Sequence, residues 1–228
     1  MRYALLLVAL CVPVPAAADL TATYRGLYSP VMTIEVASNG DEVFSDGTGP
    51  RDSGGKGPFI IKRAGHDFYI GRTLSGLHVT RAEDMAIVLA EQRPKVEPAP
   101  DGRFTVELVE KGTATINGRI GTAWFQRLAD GQLSPKPYAV VSHDPALAPL
   151  GRATEHMLAI VGLMIGERQT PSFGAMRDSL GTGAPLLLDG AELTIVSTSP
   201  IPASDFDLPA RPEKLKALRR RMMSELAP

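Results

Sequence analysis

The residue types most suggestive of catalysis occur in a glycine-rich stretch, GTGPRDSGGKGP, at positions 47–58. Its Asp52-Ser53-Gly54 centre resembles the loop that carries the nucleophilic serine of trypsin-like proteases, in which a histidine from a separate half-barrel acts as the base. That histidine precedes the serine in the chain, whereas the first histidine here, His66, follows Ser53. The chain order therefore argues against a trypsin-like protease.

The same stretch, taken from residue 49 to residue 56, also resembles the phosphate-binding loop of nucleotide-binding proteins. That loop has four residues between its first glycine and a Gly-Lys pair, then a serine or threonine, and it leads into a helix whose N-terminus meets the phosphates. Here five residues separate Gly49 from Gly55, Gly57 replaces the hydroxyl residue, and Pro58 leads into a strand-like run. We therefore interpret residues 47–58 as a surface loop between two strands, at the rim of the sheet.

The chain has four histidines, His66, His78, His143 and His156. Their spacing matches neither H-x-H nor H-E-x-x-H, so no local zinc motif is present. Ser142-His143-Asp144 contains the three residue types of a catalytic triad, but neighbouring side chains in an extended chain point to opposite faces. Two alternatives stay open: a hydrolase in which His143 pairs with a distant serine or acid, and a zinc site assembled from distant positions.

Residues 1–18 predict export from the cytoplasm. Arg2 supplies a positive start, residues 3–14 are apolar, and Ala16-Ala17-Ala18 provides small residues before Asp19. This order is typical of a secretory signal peptide that is cleaved after Ala18. The apolar run is shorter than the about 20 residues that cross a bilayer as a helix. We therefore predict a periplasmic or secreted protein with a single domain over residues 19–228.

The composition excludes two classes of site. The single cysteine, Cys11, lies within the predicted signal peptide, so the mature chain would have neither a disulfide nor a thiolate ligand. The 24 basic residues fall to 23 once Arg2 is removed, against 25 acidic residues, which gives a net charge near −2. Nucleic-acid binding needs a basic surface. We expect no nucleic-acid partner and no cofactor, and the sequence leaves the oligomeric state open.

Short strands joined by tight turns account for most of the chain. FIIKR, DFYIGRT, GLHVT and MAIVLA, between positions 59 and 90, are strand-length and rich in β-branched or aromatic residues. Asn39-Gly40, Asn117-Gly118 and Asp189-Gly190 are pairs that two-residue hairpins favour, because both positions need positive φ. Asp130-Gly131 marks a further turn, and the prolines of residues 91–102 indicate a linker. The pattern predicts an antiparallel meander.

Two segments predict helices. Asp144 and Pro145 suit the N-cap and first position of a helix that continues to Gly166. Residues 157–166 of that helix carry no charge, so we expect them to be buried on every side against the sheet. Near the C-terminus, leucines and methionines at helical spacing predict an amphipathic helix. Its basic residues are candidates for contact with anionic lipid headgroups or an acidic partner: Lys214, Lys216, Arg219, Arg220 and Arg221.

The layout resembles a known group of proteins. The strand-to-helix junction DPALAPLGRATEHML, at 144–158, and the FDLP that follows the last hairpin, at 206–209, are similar to small bacterial periplasmic proteins related to the lipoprotein carriers of the LolA/LolB type. The resemblance implies a half-open antiparallel barrel with helices covering its opening, around an apolar cavity that holds acyl chains in the carriers. It implies no specific binding residue in this chain.

These patterns predict a β-dominated α+β fold: a curved antiparallel sheet or unclosed β-barrel covered by one main helix, with a C-terminal amphipathic helix. A cavity between sheet and helix would suit a hydrophobic small molecule or lipid. Its candidate lining residues are Phe59, Ile61, Phe68, Ile70, Phe104, Val106, Trp124, Met157, Val161 and Met164. We therefore expect a non-catalytic carrier; the alternatives are a histidine-dependent hydrolase and a structural envelope protein with a filled barrel.

Overall fold

The computed structural model describes residues 18–26, 31–45, 59–73, 76–92, 107–165, 176–178, 180–181 and 183–225. The glycine-rich stretch at 47–58, most of the 91–102 linker, the candidate residues Phe104 and Val106, and residues 1–17 of the predicted signal peptide lie outside these ranges. Within the described ranges, no helix is long and apolar enough to cross a membrane.

The described strands form one antiparallel, 11-stranded sheet in the order β6-β5-β4-β3-β2-β1-β11-β10-β9-β8-β7. The strands are β1 (Leu20–Arg25), β2 (Met32–Val36), β3 (Glu42–Ser45), β4 (Phe59–Arg63), β5 (His66–Thr73), β6 (Gly76–Arg81), β7 (Leu108–Ile116), β8 (Arg119–Gln126), β9 (Ala139–Ser142), β10 (Ala184–Leu188) and β11 (Ala191–Ser197). Strand β1 pairs with β11, which joins the two ends of the chain at the centre of the sheet. The edges β6 and β7 lie at opposite ends of the order, so the sheet is unclosed, as the sequence predicted.

Two of the three predicted Xaa-Gly hairpins are confirmed. Asn117-Gly118 and Asp189-Gly190 have positive φ at both positions and connect directly paired strands. At Asn39-Gly40 the prediction of a two-residue turn is wrong. Val36 pairs with Glu42, which leaves a five-residue connection, and of the two turn residues only Gly40 has positive φ. The Asp41 carboxylate accepts from the side chain of Asn39, which stabilises this longer loop.

Ala64-Gly65 forms a two-residue hairpin of the same kind between β4 and β5, with φ values of 50° and 78°. A left-handed conformation costs alanine about 1 kcal/mol, and asparagine tolerates it better. We expect Ala64→Asn to raise the free energy of unfolding by about 0.5 kcal/mol, since part of the gain is lost on ordering the longer side chain. Urea denaturation measures this change, and a loss of stability would show that the turn is not strained at Ala64.

Three α-helices have defined bounds: α1 (Ala82–Gln92), α2 (Ala148–Ile165) and α3 (Leu215–Glu225). The prediction of a strand at MAIVLA is wrong, because those residues belong to α1. Ala82, Met85 and Val88 are its buried positions, and their spacing of three residues places them on one helical face.

The predicted start of α2 is confirmed. A short 3₁₀ turn at Pro145–Leu147 leads into the helix, and the Asp144 carboxylate accepts from the Ala146 N–H. The expectation that the uncharged second half of α2 is buried on every side is wrong, because the Leu163 side chain is 56% exposed.

The sheet has an apolar layer on each face. On what we call the helix face, Ile34, Phe44 and Ile60 belong to a core shared with Leu150 and Ile160 of α2. On the outer face, a second cluster packs against Phe206 of a 3₁₀ turn at Ala203–Phe206. Since successive side chains of a strand alternate between faces, the same apolar strand contributes to both layers.

Candidate ligand-binding site

The predicted cavity-lining residues are divided between the two faces of the sheet. Ile61, Phe68 and Ile70 belong to the outer-face cluster around Phe206. Met157, Val161 and Met164 of α2 pack against the helix-face core. The strand residues that do face the helices are Ile60 and Tyr69. The chain therefore does not bring Ile61, Phe68 and Ile70 together with α2.

Two further predicted lining residues, Phe59 and Trp124, belong to neither of these two groups. Trp124 of β8 packs beside a cluster formed by Val141, Leu158 and Leu180. Phe59 pairs with Ile70 across β4 and β5. Of the predicted aromatic residues whose side chains are described, Trp124 is the one that lies with α2, through Leu158.

A methionine-rich contact joins the three helices to the sheet. Met85 and Val88 of α1 and Leu218 of α3 are buried there, with Tyr69, Met164 and Met222 packed against them. We call these six residues the methionine layer. Methionine side chains are unbranched and adapt to irregular shapes, which suits them to surfaces that accommodate varied apolar partners.

Thr80 lies next to this layer and carries an unsatisfied polar atom. It is 1% exposed, and its hydroxyl has no hydrogen-bond partner among the described residues. Thr80 is directly opposite Tyr69 in the β5–β6 register, so both side chains project from the helix face. Helix α1 packs on both strands. A buried hydroxyl without a partner costs about 1–3 kcal/mol, and the other buried polar atom without a hydrogen-bond partner among the described residues is Asp67 Oδ1 of β5.

The basic residues of α3, together with Lys214 directly before it, separate into two groups. The Arg219 Nε donates to Glu91 of α1 at 2.8 Å, and the Arg221 Nη2 donates to Glu213 at 3.1 Å. Lys214, Lys216 and Arg220 are exposed and form no ion pair with a described residue. The predicted cluster for anionic contact is therefore reduced to these three side chains.

A charged row crosses the helix face at one end of the sheet. Glu42 of β3 pairs in register with Lys62 of β4, and Lys62 pairs with Asp67 of β5. The Lys62 Nζ donates to the Glu42 carboxylate at 2.8 Å. His156 of α2 lies between the two acids, with Nδ1 2.7 Å from Glu42 Oε2 and Nε2 3.2 Å from Asp67 Oδ2. Glu42 itself is only 5% exposed.

These contacts hold His156 in its charged form. Hydrogen bonds to Asp67 and to Glu42 raise the pKa of His156 to about 9, against the opposing effect of partial burial. Burial alone would raise the pKa of Glu42, but hydrogen bonds from His156 and Lys62 outweigh it and hold that pKa below its usual value. A protonated imidazole bonded at both nitrogens has no lone pair to act as a base or as a metal ligand. The row is therefore an ion network in which both ring nitrogens of His156 contact a carboxylate.

A pocket of about 290 Å³ opens beside this network. Val36 and Ala37 form one wall, Pro149 and Arg152 of α2 form another, and Glu42, Lys62 and His156 lie at its charged side. Ala18, Ser38 and Gly40 complete the lining. The pocket is thus bounded by both polar and apolar side chains.

The other histidines lie apart from this network. His143 is exposed after β9, where the Ser142 hydroxyl accepts from the Asp144 N–H at 3.2 Å. His66 is exposed, and His78 Nδ1 lies 2.8 Å from Glu213. In the described part of the chain, no group of three or more His, Cys, Asp or Glu side chains is arranged to hold a metal ion.

Sequence reasoning missed the network, although part of its signal was present. A two-residue hairpin at Ala64-Gly65 would by itself place Lys62 opposite Asp67, because the register follows from the turn. Nothing local indicates that Glu42 and His156, which are 114 positions apart, complete the row.

Comparison with protein-family models, with curated proteins and with solved structures gives no match for this chain.

Proposed function

We propose that this protein binds a hydrophobic, lipid-like ligand and carries it in the periplasm without catalysing a reaction. An unclosed antiparallel sheet with helices packed on one face is the layout that the resemblance to lipoprotein carriers implies. The exposed Lys214, which directly precedes α3, and Lys216 and Arg220 of α3 are suited to peripheral contact with anionic headgroups during loading or release.

The observation that carries the proposal is the unsatisfied Thr80 hydroxyl beside the methionine layer. A ligand with an acyl chain and a carbonyl or ester oxygen would offer apolar contacts to the methionines and an acceptor to the Thr80 hydroxyl, which lacks one. Specific apolar sites combine a mostly hydrophobic lining with a few polar groups that fix orientation.

Access to this region requires α3 to move from α1. The buried part of their contact is small, since Leu218 is the one α3 residue of the layer that is fully buried. The Arg219–Glu91 ion pair that supports it is exposed, with side chains 44% and 46% accessible. Exposed ion pairs contribute little to stability, so the cost of displacing α3 comes mainly from exposing Leu218 and from breaking the partly buried contacts of Glu213 with Arg221 and His78.

Native mass spectrometry of protein purified from the periplasm tests the proposal. We expect a co-purifying lipid, and saturable 1:1 binding of the uncharged fluorescent probe N-phenylnaphthylamine after the lipid is removed. Bound zinc would favour the hydrolase alternative. A bare chain that does not bind the probe would favour the structural alternative, and either result would overturn the proposal.

The Thr80→Val variant tests the role of the hydroxyl. Valine has nearly the same shape and removes the unsatisfied group, so we expect the ligand-free protein to gain about 1 kcal/mol of stability. The affinity for a fatty-acid methyl ester, measured by displacement of the probe, is expected to fall about fivefold, because the ester loses its donor.

Thr154→Val is the matched control, because Thr154 is equally buried but its hydroxyl donates to the Leu150 carbonyl at 2.9 Å. We expect this variant to lose stability and to keep the wild-type affinity for the ester. If Thr80→Val destabilises the ligand-free protein as Thr154→Val does, its hydroxyl is satisfied and the argument fails.

A further inference from the structure

The pocket beside His156 has an excess of positive charge. Lys62, Arg152 and His156 line it with three cationic groups, and Glu42 is the one carboxylate among the lining residues. Glu42 is already engaged by the Lys62 ammonium at 2.8 Å and by the His156 ring at 2.7 Å. Asp67 neutralises the far side of His156 and does not line the pocket. The pocket lining therefore carries three cationic groups against one carboxylate, with the Asp67 carboxylate paired behind His156.

Arg152 is the group best placed to recognise a ligand. It lies on α2 one helical turn before His156 and is exposed at the pocket. Its guanidinium forms no ion pair or hydrogen bond with a described residue. A guanidinium presents five N–H donors in a planar fork that matches two oxygens of a phosphate or carboxylate group. The Lys62 ammonium has donors beyond the one it gives to Glu42.

We propose that this pocket binds a phosphate-class oxyanion, held by Arg152 and Lys62 with His156 as a fixed positive charge. A tetrahedral phosphate group offers more oxygens to the Arg152 and Lys62 donors than a single carboxylate does. The cavity of about 290 Å³ is large enough for a phosphate monoester, and Val36 and Pro149 give it an apolar wall for the attached carbon group.

The predicted cleavage after Ala18 would strengthen this site. Ala18 lines the pocket, and the neighbouring Asp19 side chain is fixed by the N–H groups of Ser38 at 2.8 Å and Ile201 at 2.8 Å. Removal of Ala18 would leave the α-ammonium group of Asp19 in its place. The mature protein would then carry a fourth cationic group at the edge of the pocket.

Titration of the chain from Asp19 onward with inorganic phosphate tests the site. We follow amide chemical shifts by NMR at pH 7 and hold the ionic strength constant with sodium chloride. Saturable shifts are expected at Ser38, Gly40 and residues around Arg152, with a dissociation constant in the millimolar range. Arg152→Gln should weaken binding by about tenfold, because a charge-assisted, bidentate contact is lost.

Arg25→Gln is the matched control. Arg25 is an exposed arginine with no ion pair to a described residue, and it lies at the opposite end of β1 from Leu20, which pairs with the pocket residue Val36. We expect this variant to bind phosphate within twofold of wild type. Shifts that do not saturate, or an equal loss in both variants, would show nonspecific charge effects and overturn the proposal.

Two further titrations separate the sources of the phosphate group. Glycerol 3-phosphate and dihexanoyl phosphatidic acid both present a phosphate monoester; the first has no acyl chain and the second has two. A much tighter complex with the lipid, again weakened by Arg152→Gln, assigns the site to a lipid headgroup. Equal affinities assign it to a free phosphate ester. Because the uncharged probe needs no phosphate and inorganic phosphate needs no acyl chain, this site and the apolar site can fail independently.

Discussion

Glu42→Gln is expected to lower the free energy of unfolding by about 3 kcal/mol. Glu42 is buried and accepts from both Lys62 and His156, so its neutralisation leaves two cations facing each other without the charge that separates them. Loss of one partner from a buried ion pair costs about 3–5 kcal/mol. We take the lower end because Lys62 and His156 retain some contact with water, with side chains 28% and 25% exposed.

Urea denaturation at pH 7 measures this loss as a lower midpoint at unchanged slope. Glu155→Gln is the matched control, since Glu155 precedes His156 on α2 but is exposed and forms no contact with a described charged residue. We expect its effect to stay within about 0.5 kcal/mol. Equal effects of the two substitutions would mean that the network does not stabilise the fold.

The stability of the wild-type protein is expected to fall by about 2 kcal/mol between pH 6.5 and pH 9. The pKa of His156 is raised from 6.5 to about 9 in the folded state. The folded protein therefore binds a proton more tightly than the unfolded chain, and that contribution is complete below pH 6.5 and lost as the pH rises through 9. The full shift corresponds to about 3 kcal/mol, which we reduce because the partly exposed ring is screened by solvent.

The charged groups that face His156 are Glu42 and Asp67, which hold its proton, and Lys62 and Arg152, which oppose it. His156→Gln should be less stable than wild type at pH 6 and show a much flatter profile up to pH 9. His66→Gln, at the exposed first residue of β5, should keep the wild-type slope. If the stability of His156→Gln falls between pH 6.5 and pH 9 as steeply as that of the wild type, the titrating group is not His156.

The described residues show which parts of the fold a local pattern can determine. Asn117-Gly118 and Asp189-Gly190 form two-residue turns because positive φ at both positions is a property of the residues themselves. Asp144 and Pro145 mark the approach to α2 for the same reason, since capping depends on atoms within one turn. The unclosed antiparallel sheet followed from these short-range signals.

Other features of the fold depend on contacts between residues that are far apart in the sequence, and no local pattern contains these contacts. MAIVLA is apolar enough for a strand or a helix, and its helical state is selected by packing of Met85 and Val88 against α3 and Tyr69. FIIKR and DFYIGRT have apolar residues on both faces of the strand. The sequence alone therefore did not show that Ile60 and Tyr69, and not Ile61 and Phe68, face the helices.

The sequence alone determined the strand-rich class, two of the hairpins and the start of the main helix, because propensity, turn geometry and capping act over a few residues. Only the tertiary structure decided which sheet face meets the helices and that Glu42, Lys62, Asp67 and His156 form one network. The reason is distance along the chain. Glu42 and His156 are separated by 114 positions, and their ionic contact exists because α2 packs on the sheet face from which Glu42 projects.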